Sequence, residues 1–267
     1  MSEINYSQLI EAMRGRSVER PNKASNGTLA GHAAGEPFEK LTYQILKQMF
    51  PDKIFKQYEY LNDLYLTHPR HISVRQKKDL FDSPVAFFLL SRSDAATRMW
   101  NPQNVFEEKQ DDTADILYHE DGRFDIIDVK TRNTSKAAMA PNIISAYKLA
   151  QACALMLDNE DFDSIDIHYF EVGWEEKDDR LLCLNAHCRD LFKSEPGSLY
   201  INWAAAMQIQ FHVSDLDQSF QGTKKDWVRA YITAFVESAK HRCKKMYETY
   251  VVPFEKYIAD NEERTLS

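Results

Sequence analysis

The chain has 267 residues, of which 43% are hydrophobic and 12% aromatic, which excludes a disordered protein and allows a sizeable core. No window reaches eighteen uncharged apolar residues and the amino terminus does not resemble a signal peptide, so we expect a cytoplasmic protein with no membrane partner. The formal net charge of -8 argues against a nucleic-acid partner unless basic residues are concentrated locally.

The basic residues and the cysteines are spread along the chain. Basic groups occur at 14–23, 70–78, 130–136 and 240–245, and any of them could be a solvated face. Only the third group, at 130–136, lies beside residues that could form an active site. The four cysteines form no CxxC pair, so we expect reduced, buried thiols; Cys183, His187 and Cys188 lack a fourth zinc ligand at suitable spacing.

The amino-terminal third predicts an arm followed by helices. Residues 14–36 are basic, small and glycine-containing without a clear period, which is typical of an arm. Pro37 stands where a first helical residue would, and "PFEKLTYQILKQMF" has helical periodicity. Two further helices are expected between about Lys56 and Arg92, the second after Pro84.

The remaining two thirds predict a small sheet between helices. A hairpin at 113–133 is followed by a helix from Pro141, a strand pair in "IDIHYFEVGW" and "RLLCLNAHC", and a buried strand or two in "YINWAAAMQIQFHV". A long helix is expected over about 223–252, which Pro253 should stop or kink. We therefore expect one α/β domain over residues 1–267.

The hairpin "TADILYHEDGRFDIIDVKTRN" brings two aspartates together. A two-residue turn at Asp121-Gly122 pairs residue 120 with 123, and counting outward places Asp115 opposite Asp128. A four-residue loop on the same dipeptide has the same register, whereas three- or five-residue loops would not. Because side chains alternate along a strand, Asp128 and Lys130 share one face.

Two opposed carboxylates repel, so this pattern needs a reason. A hard divalent cation such as Mg²⁺ supplies one, since it is bound through one or two carboxylates. A cation held by Asp115 and Asp128 would polarise a phosphodiester and lower the pKa of a bound water, and Lys130 would favour the developing negative charge. The pattern favours a metal-dependent phosphodiesterase. The alternative is a structural ion pair between Asp128 and Lys130 at a strand end.

Asp115, Asp128 and Lys130 match the PD-(D/E)xK nuclease signature, with threonine-alanine in place of the usual proline before the first aspartate. Longer strings, among them "GTLAGHAAGEPFEKL", "DVKTRN", "APNIISAYKLAQ" and "FKSEPGSLYINWAAAMQIQFHV", resemble the HincII family of type II restriction endonucleases. The resemblance runs from about Thr28 to beyond Tyr231. It implies the restriction-endonuclease-like α/β core, a mixed sheet flanked by helices.

The resemblance also implies an activity. A family member is a homodimeric, Mg²⁺-dependent endonuclease, with Mn²⁺ able to substitute, that cuts double-stranded DNA at a GTYRAC-like palindrome and leaves blunt ends with 5'-phosphates. Its host needs a partner DNA methyltransferase. Asp115, Asp128 and the carbonyl of Val129 would be metal ligands, and Lys130 would act on the attacking water. Glu39 resembles an acidic residue near the metals, or is a solvent-facing helix glutamate.

The resemblance further implies a set of DNA contacts: Arg132, Lys136, Met139, Ala140, Asn142, Tyr200 and Asn202. Asn142 can read adenine with its amide, or can simply start the helix beside Pro141. Tyr200 can equally be a core aromatic. Met139 stands where the family carries an intercalating glutamine, so we expect a wedge without the glutamine's hydrogen bonds and a changed discrimination at or beside the flanking step.

Two other functions remain open from the sequence. One is a structure-specific repair or recombination nuclease of the same fold, and the other is a non-catalytic DNA-binding module. An unrelated hydrolase is not indicated, since there is no GxSxG, HExxH or Walker motif. DNA binding by an acidic chain needs a basic cleft, which we expect from the arm between Arg14 and Lys23 and from the loop carrying Arg132 and Lys136.

Overall fold

The computed structural model describes residues 4–21, 31–63, 66–91, 113–137 and 139–265. Within these ranges a six-stranded sheet has the order β1 (Ser17–Glu19), β7 (Arg180–Asp190), β6 (Ile165–Lys177), β4 (Arg123–Asn133), β3 (Ile116–Glu120) and β2 (Ile54–Phe55). Only β4 and β6 are parallel in this sheet, so it is mixed. A second, antiparallel sheet has the order β5 (Asn142–Ser145), β9 (Gln208–Gln210) and β8 (Ile201–Asn202).

Helices cover both faces of the larger sheet. They are α1 (Tyr6–Met13), α2 (Gly31–Met49), α3 (Gln57–Asp63), α4 (Val74–Asp82), α5 (Pro84–Leu90), α6 (Ala146–Asp158), α7 (Lys224–Met246) and α8 (Val252–Thr265). A π-helical turn, Tyr247–Val251, joins the last two. Short 3₁₀ turns occur at Leu191–Lys193, Pro196–Ser198 and Val213–Asp215.

The alternation of β4 divides the interior into two cores. Ile127 and Val129 are buried in a core with residues of α1 and α2. Phe124 and Ile126 are buried in the other core, with residues of α3 to α7. Because successive side chains of a strand point to opposite faces, this apolar strand supports both layers at once. The expected α/β architecture, a mixed sheet flanked by helices, is confirmed.

Two helix boundaries were predicted wrongly near prolines. The helix expected from Pro37 begins at Gly31 and contains that proline, so residues 14–36 include β1 and the start of α2 rather than being an arm throughout. At the carboxyl terminus, Pro253 does not stop the helix, which continues to Thr265. Since proline lacks an N–H and crowds the carbonyl four residues earlier, the π-helical turn just before Pro253 accommodates it.

The helix predicted from Pro141 was also placed too early. Residues Asn142–Ser145 form β5, where the β-branched side chains of Ile143 and Ile144 are buried. The helix begins at Ala146, after Ser145 caps it by accepting a hydrogen bond from the N–H of Lys148 at 3.2 Å. Asn142 therefore does not start a helix.

The strand pair predicted around residues 165–188 is confirmed as the antiparallel β6 and β7. All four cysteines are free, as expected, but only Cys153 and Cys183 are buried; Cys188 is half-buried and Cys243 is exposed. Within the described ranges, none of the helices has the length and apolar composition needed to cross a bilayer.

Candidate active site

The hairpin of β3 and β4 has the predicted register. Glu120 pairs with Arg123, and the ladder continues to Ile116 and Ile127. Asp121 and Gly122 form the turn with φ angles of 46° and 78°, both in the left-handed region that this tight turn requires. Immediately beyond the last pair of the ladder come the two residues predicted to oppose each other, Asp115 and Asp128.

The two aspartates are in contact at this end of the hairpin. The carboxyl group of Asp128 lies close enough to that of Asp115 for its charge to act on it, and Oδ2 of Asp115 accepts the backbone N–H of Val129 at 2.7 Å. Nζ of Lys130 lies 2.9 Å from Oδ2 of Asp128. Asp128 is 7% exposed, so this charged group is largely removed from water. The structure therefore brings together Asp115, Asp128, Val129 and Lys130 as predicted.

The electrostatics of this group depend on burial. Burial and then the charge of Asp128 raise the pKa of Asp115 to about 7. Burial alone would lower the pKa of Lys130, but the charges of Asp128 and Asp115 outweigh it and raise that pKa. Without a cation, the aspartate pair thus retains a proton near neutral pH while Lys130 is an ammonium.

Glu39 of α2 faces the same site. Burial and then the charge of Asp115 raise the pKa of Glu39, and Glu39 in turn contributes to the raised pKa of Lys130. The carboxylate of Glu39 forms an ion pair with Lys56. It is therefore not a solvent-facing helix glutamate. Among the described residues, no group of three or more His, Cys, Asp or Glu side chains is arranged to hold a metal ion. Asp115 and Asp128 remain the side-chain ligands that the sequence predicted.

A glutamine that sequence reasoning missed supports the start of the hairpin. Oε1 of Gln57 accepts the backbone N–H groups of both Thr113 and Ala114 at 2.8 Å, and its Nε2 donates to the carbonyl of Leu90 at 2.8 Å. The hydroxyl of Thr113 also accepts a hydrogen bond from buried Lys148 at 2.8 Å. These bonds fix the backbone just before Asp115. The sequence signal was weak, since Gln57 is simply the first residue of a short helix.

In the three-stranded sheet, Gln210 is hydrogen-bonded to two of the residues predicted to contact DNA, Asn142 and Asn202. Nε2 of Gln210 donates to Oδ1 of Asn142 at 2.7 Å, and its Oε1 accepts from Nδ2 of Asn202 at 3.0 Å. Oδ1 of Asn202 is already used by the N–H groups of Ala204 and Ala205. The central member of this amide row, Gln210, was not predicted. Its pairing with Asn142 across β5 and β9 cannot be read from local sequence.

The other predicted DNA contacts are partly exposed. Tyr200 is 62% exposed and Met139 is 86% exposed, so Tyr200 is not a core aromatic. Lys136 is exposed and Ala140 is half-buried. Arg132 donates to the hydroxyl of Ser214 at 3.2 Å and lies 3.9 Å from Asp215.

Two arginines of the predicted basic arm form ion pairs. Arg20 pairs with Glu176 at 2.5 Å and with Asp179 at 2.9 Å, both beside the turn between β6 and β7. Arg14 pairs with Glu11 at 2.9 Å. In the structure without DNA, both arginines are therefore paired with acidic neighbours, and the basic cleft stays a prediction. Lys23 lies outside the described residues.

The fold and site together define a class. A mixed sheet between helices, with two contacting carboxylates and a lysine at the end of a central hairpin, is the architecture of the restriction-endonuclease class of nucleases. The family model described as restriction endonuclease HincII matches residues 9–258. The chain belongs to this family of type II restriction enzymes, which are site-specific deoxyribonucleases.

Individual relatives agree with this assignment. Type II restriction enzyme HindII of Haemophilus influenzae (strain ATCC 51907 / DSM 11121 / KW20 / Rd) is 55% identical over 253 residues, which cover 95% of this chain and 97% of the relative. Type II restriction enzyme HincII of Haemophilus influenzae is 54% identical with the same coverage. The solved NlaIV restriction endonuclease aligns with 90% of this chain and 92% of its own at 10% identity, and its TM-score of 0.37 adds nothing to the assignment.

Proposed function

We propose that this restriction endonuclease is a Mg²⁺-dependent homodimer that hydrolyses both strands of a GTYRAC-like palindrome at its centre. The products would be blunt ends with 5'-phosphates, and Mn²⁺ would substitute for Mg²⁺. The observation that carries the proposal is the contact between Asp115 and Asp128 with Lys130 beside them. A cytoplasmic location and a host methyltransferase that protects the recognition sequence belong to the same proposal.

The acidic pair fits a divalent cation. Asp115, Asp128 and the carbonyl of Val129 would hold it, and carboxylate and carbonyl oxygens are the ligands that Mg²⁺ prefers. The raised pKa of Asp115 supports this fit, because a cation can replace the proton that the cation-free pair retains. When bound, the cation supplies polarisation of the phosphodiester and a lowered pKa for a coordinated water.

Lys130 would act as a cation rather than as a base. Its pKa is raised by Asp128 and Asp115 despite its burial, so its side chain is an ammonium at neutral pH. We infer that it orients the attacking water and stabilises the negative charge that develops on the phosphate. Glu39 would influence the site without binding the cation directly, because its carboxylate is paired with Lys56.

Base recognition would use the amide row on the small sheet. Asn142 can pair bidentately with adenine, and Gln210 would hold its amide in a fixed orientation. Asn202 would orient Gln210 more than it reads a base, since its own carbonyl oxygen is occupied. Tyr200 and Ala140 would contact the DNA nearby, and exposed Met139 would insert as an apolar wedge. Arg132 and Lys136 would contact phosphates.

The direct test is incubation of a sequenced plasmid with the purified protein, with Mg²⁺, with Mn²⁺ and with neither, followed by mapping of the ends. The proposal expects discrete blunt fragments at GTYRAC-like sites in either metal and intact plasmid without metal. Preferential cutting of branched or mismatched DNA would instead favour a repair or recombination nuclease. Tight DNA binding with no cleavage in any metal would favour a non-catalytic module.

A further inference from the structure

A short segment of the chain joins the amide row to the strands of the proposed active site. Residues 210–214 lead from the end of β9 into the 3₁₀ turn Val213–Asp215. They begin at Gln210, which holds Asn142 and Asn202 in the three-stranded sheet. We refer to residues 210–214 as the connecting segment.

The connecting segment first contacts the six-stranded sheet beside Asp128. In the parallel register of β4 and β6, Asp128 lies next to Tyr169, and two residues further along Lys130 lies next to Glu171. Because paired residues of neighbouring strands point to the same face, Tyr169 and Glu171 share the face that carries the proposed active site. The ring of Phe211 packs edge-on against Tyr169, with ring centroids 5.3 Å apart.

Glu171 holds the centre of the connecting segment. Its Oε2 accepts the backbone N–H of Val213 at 3.1 Å and lies 3.8 Å from Nδ1 of His212. Glu171 is only 2% exposed, and Val213 is buried in the core with residues of α3 to α7. A buried carboxylate is costly unless it is hydrogen-bonded, so this bond fixes the backbone of the segment next to Lys130.

The far end of the segment is bonded to β4 itself. Arg132, two residues after Lys130, donates to the hydroxyl of Ser214 at 3.2 Å. The contacts of the segment therefore follow β4 from Asp128 to Arg132. Since packed and hydrogen-bonded elements have few alternative arrangements, a displacement of Gln210 would be transmitted to the residues beside Lys130.

We propose that Glu171 is a positioning residue that couples base recognition to cleavage. By holding Val213, it makes the placement of Lys130 depend on the amide row, so that a base paired with Asn142 favours the arrangement of β4 that cleaves. In this role Glu171 contacts neither the DNA nor the cation. The inference rests on the proposed function for the reading of a base by Asn142 and for the action of Lys130 on the attacking water.

Single-turnover cleavage of an oligonucleotide, carrying the site that plasmid mapping gives, tests the role of Glu171. Glu171→Leu removes the acceptor, and we expect cleavage about tenfold slower, a common strength of coupling between sites, with DNA affinity unchanged. Glu171→Gln keeps an acceptor oxygen and should cleave like the native protein. So should the control Glu175→Leu, the same change at a half-buried position of β6. A native rate in Glu171→Leu, or an equal loss in Glu171→Gln, would overturn the proposal.

A double-mutant cycle with Gln210→Leu tests the coupling. If both residues act through the connecting segment, Glu171→Leu should cost little further rate once Gln210 is replaced. Losses that multiply would show independent effects and would contradict the proposal. Ser214→Ala loses only the acceptor of Arg132 and should show a smaller loss in the same direction. It takes the place of Glu171→Leu in the cycle if that variant does not fold.

Hydrogen exchange of peptides covering residues 208–216, measured without metal, tests the coupling apart from cleavage. We expect DNA with the recognised site to slow exchange of the Val213 N–H more than DNA of unrelated sequence does. This difference should be absent in Glu171→Leu. Equal exchange in the two complexes of the native protein would sink the inference. Failure of the native protein to cleave in any metal would instead contradict the proposed function and leave this measurement unaffected.

Discussion

The backbone N–H of Val129 donates to Oδ2 of Asp115 at 2.7 Å, so the strand that carries Asp128 and Lys130 also holds the aspartate of the neighbouring strand. This bond lies just beyond Ile116 and Ile127, the last paired residues of the hairpin. The side-chain position of Asp115 is therefore fixed together with the strand register.

Asp128→Asn should abolish cleavage while DNA binding is retained. The amide keeps the shape of the side chain but loses the charge proposed to hold the cation. Loss of a residue that only supports a metal ligand costs up to about 100-fold, so loss of a proposed ligand should lower the rate by at least about 100-fold. The matched control is Asp121→Asn, in the exposed turn of the same hairpin, which should cleave normally. Unchanged cleavage by Asp128→Asn would mean that Asp128 only forms a structural ion pair with Lys130.

Mg²⁺ affinity should depend on pH through the aspartate pair. Because the pKa of Asp115 is raised to about 7, a proton competes with the cation below that pH and not above it. Calorimetric titration should show the affinity falling about tenfold per pH unit below 7 and levelling off above it. Asp115→Asn should bind weakly with little pH dependence. A constant affinity of the native protein between pH 5.5 and 8 would rule out this competition.

Gln57→Leu should destabilise the protein. The change leaves the N–H groups of Thr113 and Ala114 and the carbonyl of Leu90 without their partner, and each such buried group costs about 1–3 kcal/mol. We expect urea unfolding to report a loss of at least about 3 kcal/mol, the lower end of the range for three such groups. Gln44→Leu, at an exposed position of α2, serves as the control and should change little. Equal stability of the two variants would show that the bonds of Gln57 are dispensable.

Met139→Gln should change sequence discrimination next to the cut. The native side chain is 86% exposed and apolar, so it can act as a wedge but cannot hydrogen-bond to bases. We expect cleavage rates on oligonucleotides with varied flanking steps to differ between the native and variant enzymes, with similar rates on their preferred sites. Identical rate profiles across all flanks would refute a role for this position in discrimination.

His168 should make stability depend on pH. Burial would lower its pKa, but the charge and hydrogen bond of Asp125 outweigh this and raise it. A raised pKa in the folded state means that His168 contributes stability below about pH 6.5 and loses this contribution as pH rises through the folded value. Urea unfolding should show the decline in the native protein and in the control His68→Gln, at an exposed position, but less in His168→Gln. The same decline in all three proteins would mean that groups other than His168 cause it.

How far the sequence predicted the site depended on whether the contacts are local. The register of β3 and β4 was predictable because Asp121 and Gly122 determine it within one turn. Gln57 and Gln210 were not found, since each acts on a residue more than fifty positions away. Glu39 was ambiguous for the same reason, because its neighbours in space lie on other elements.

The predicted element boundaries were wrong where packing in the folded protein overrode the local preferences of the sequence. Pro37 suggested a helix start, yet the helix extends before it to Gly31, and residues after Pro141 form a strand first because Ile143 and Ile144 pack into the core. Pro253 lies within a helix that a π-helical turn adapts. A proline therefore requires a local change in helix geometry but does not have to end the helix.

The two-sided burial of β4 also limits how this family can tolerate insertions. Adding or deleting one residue between 121 and 128 would exchange the faces of Asp128 and Val129, sending a carboxylate into the core with α1 and α2 and an isoleucine or valine toward Asp115. Length variation that preserves activity should therefore be absent from this short stretch of the gene. A library of single-codon insertions would find it the least permissive segment of the hairpin.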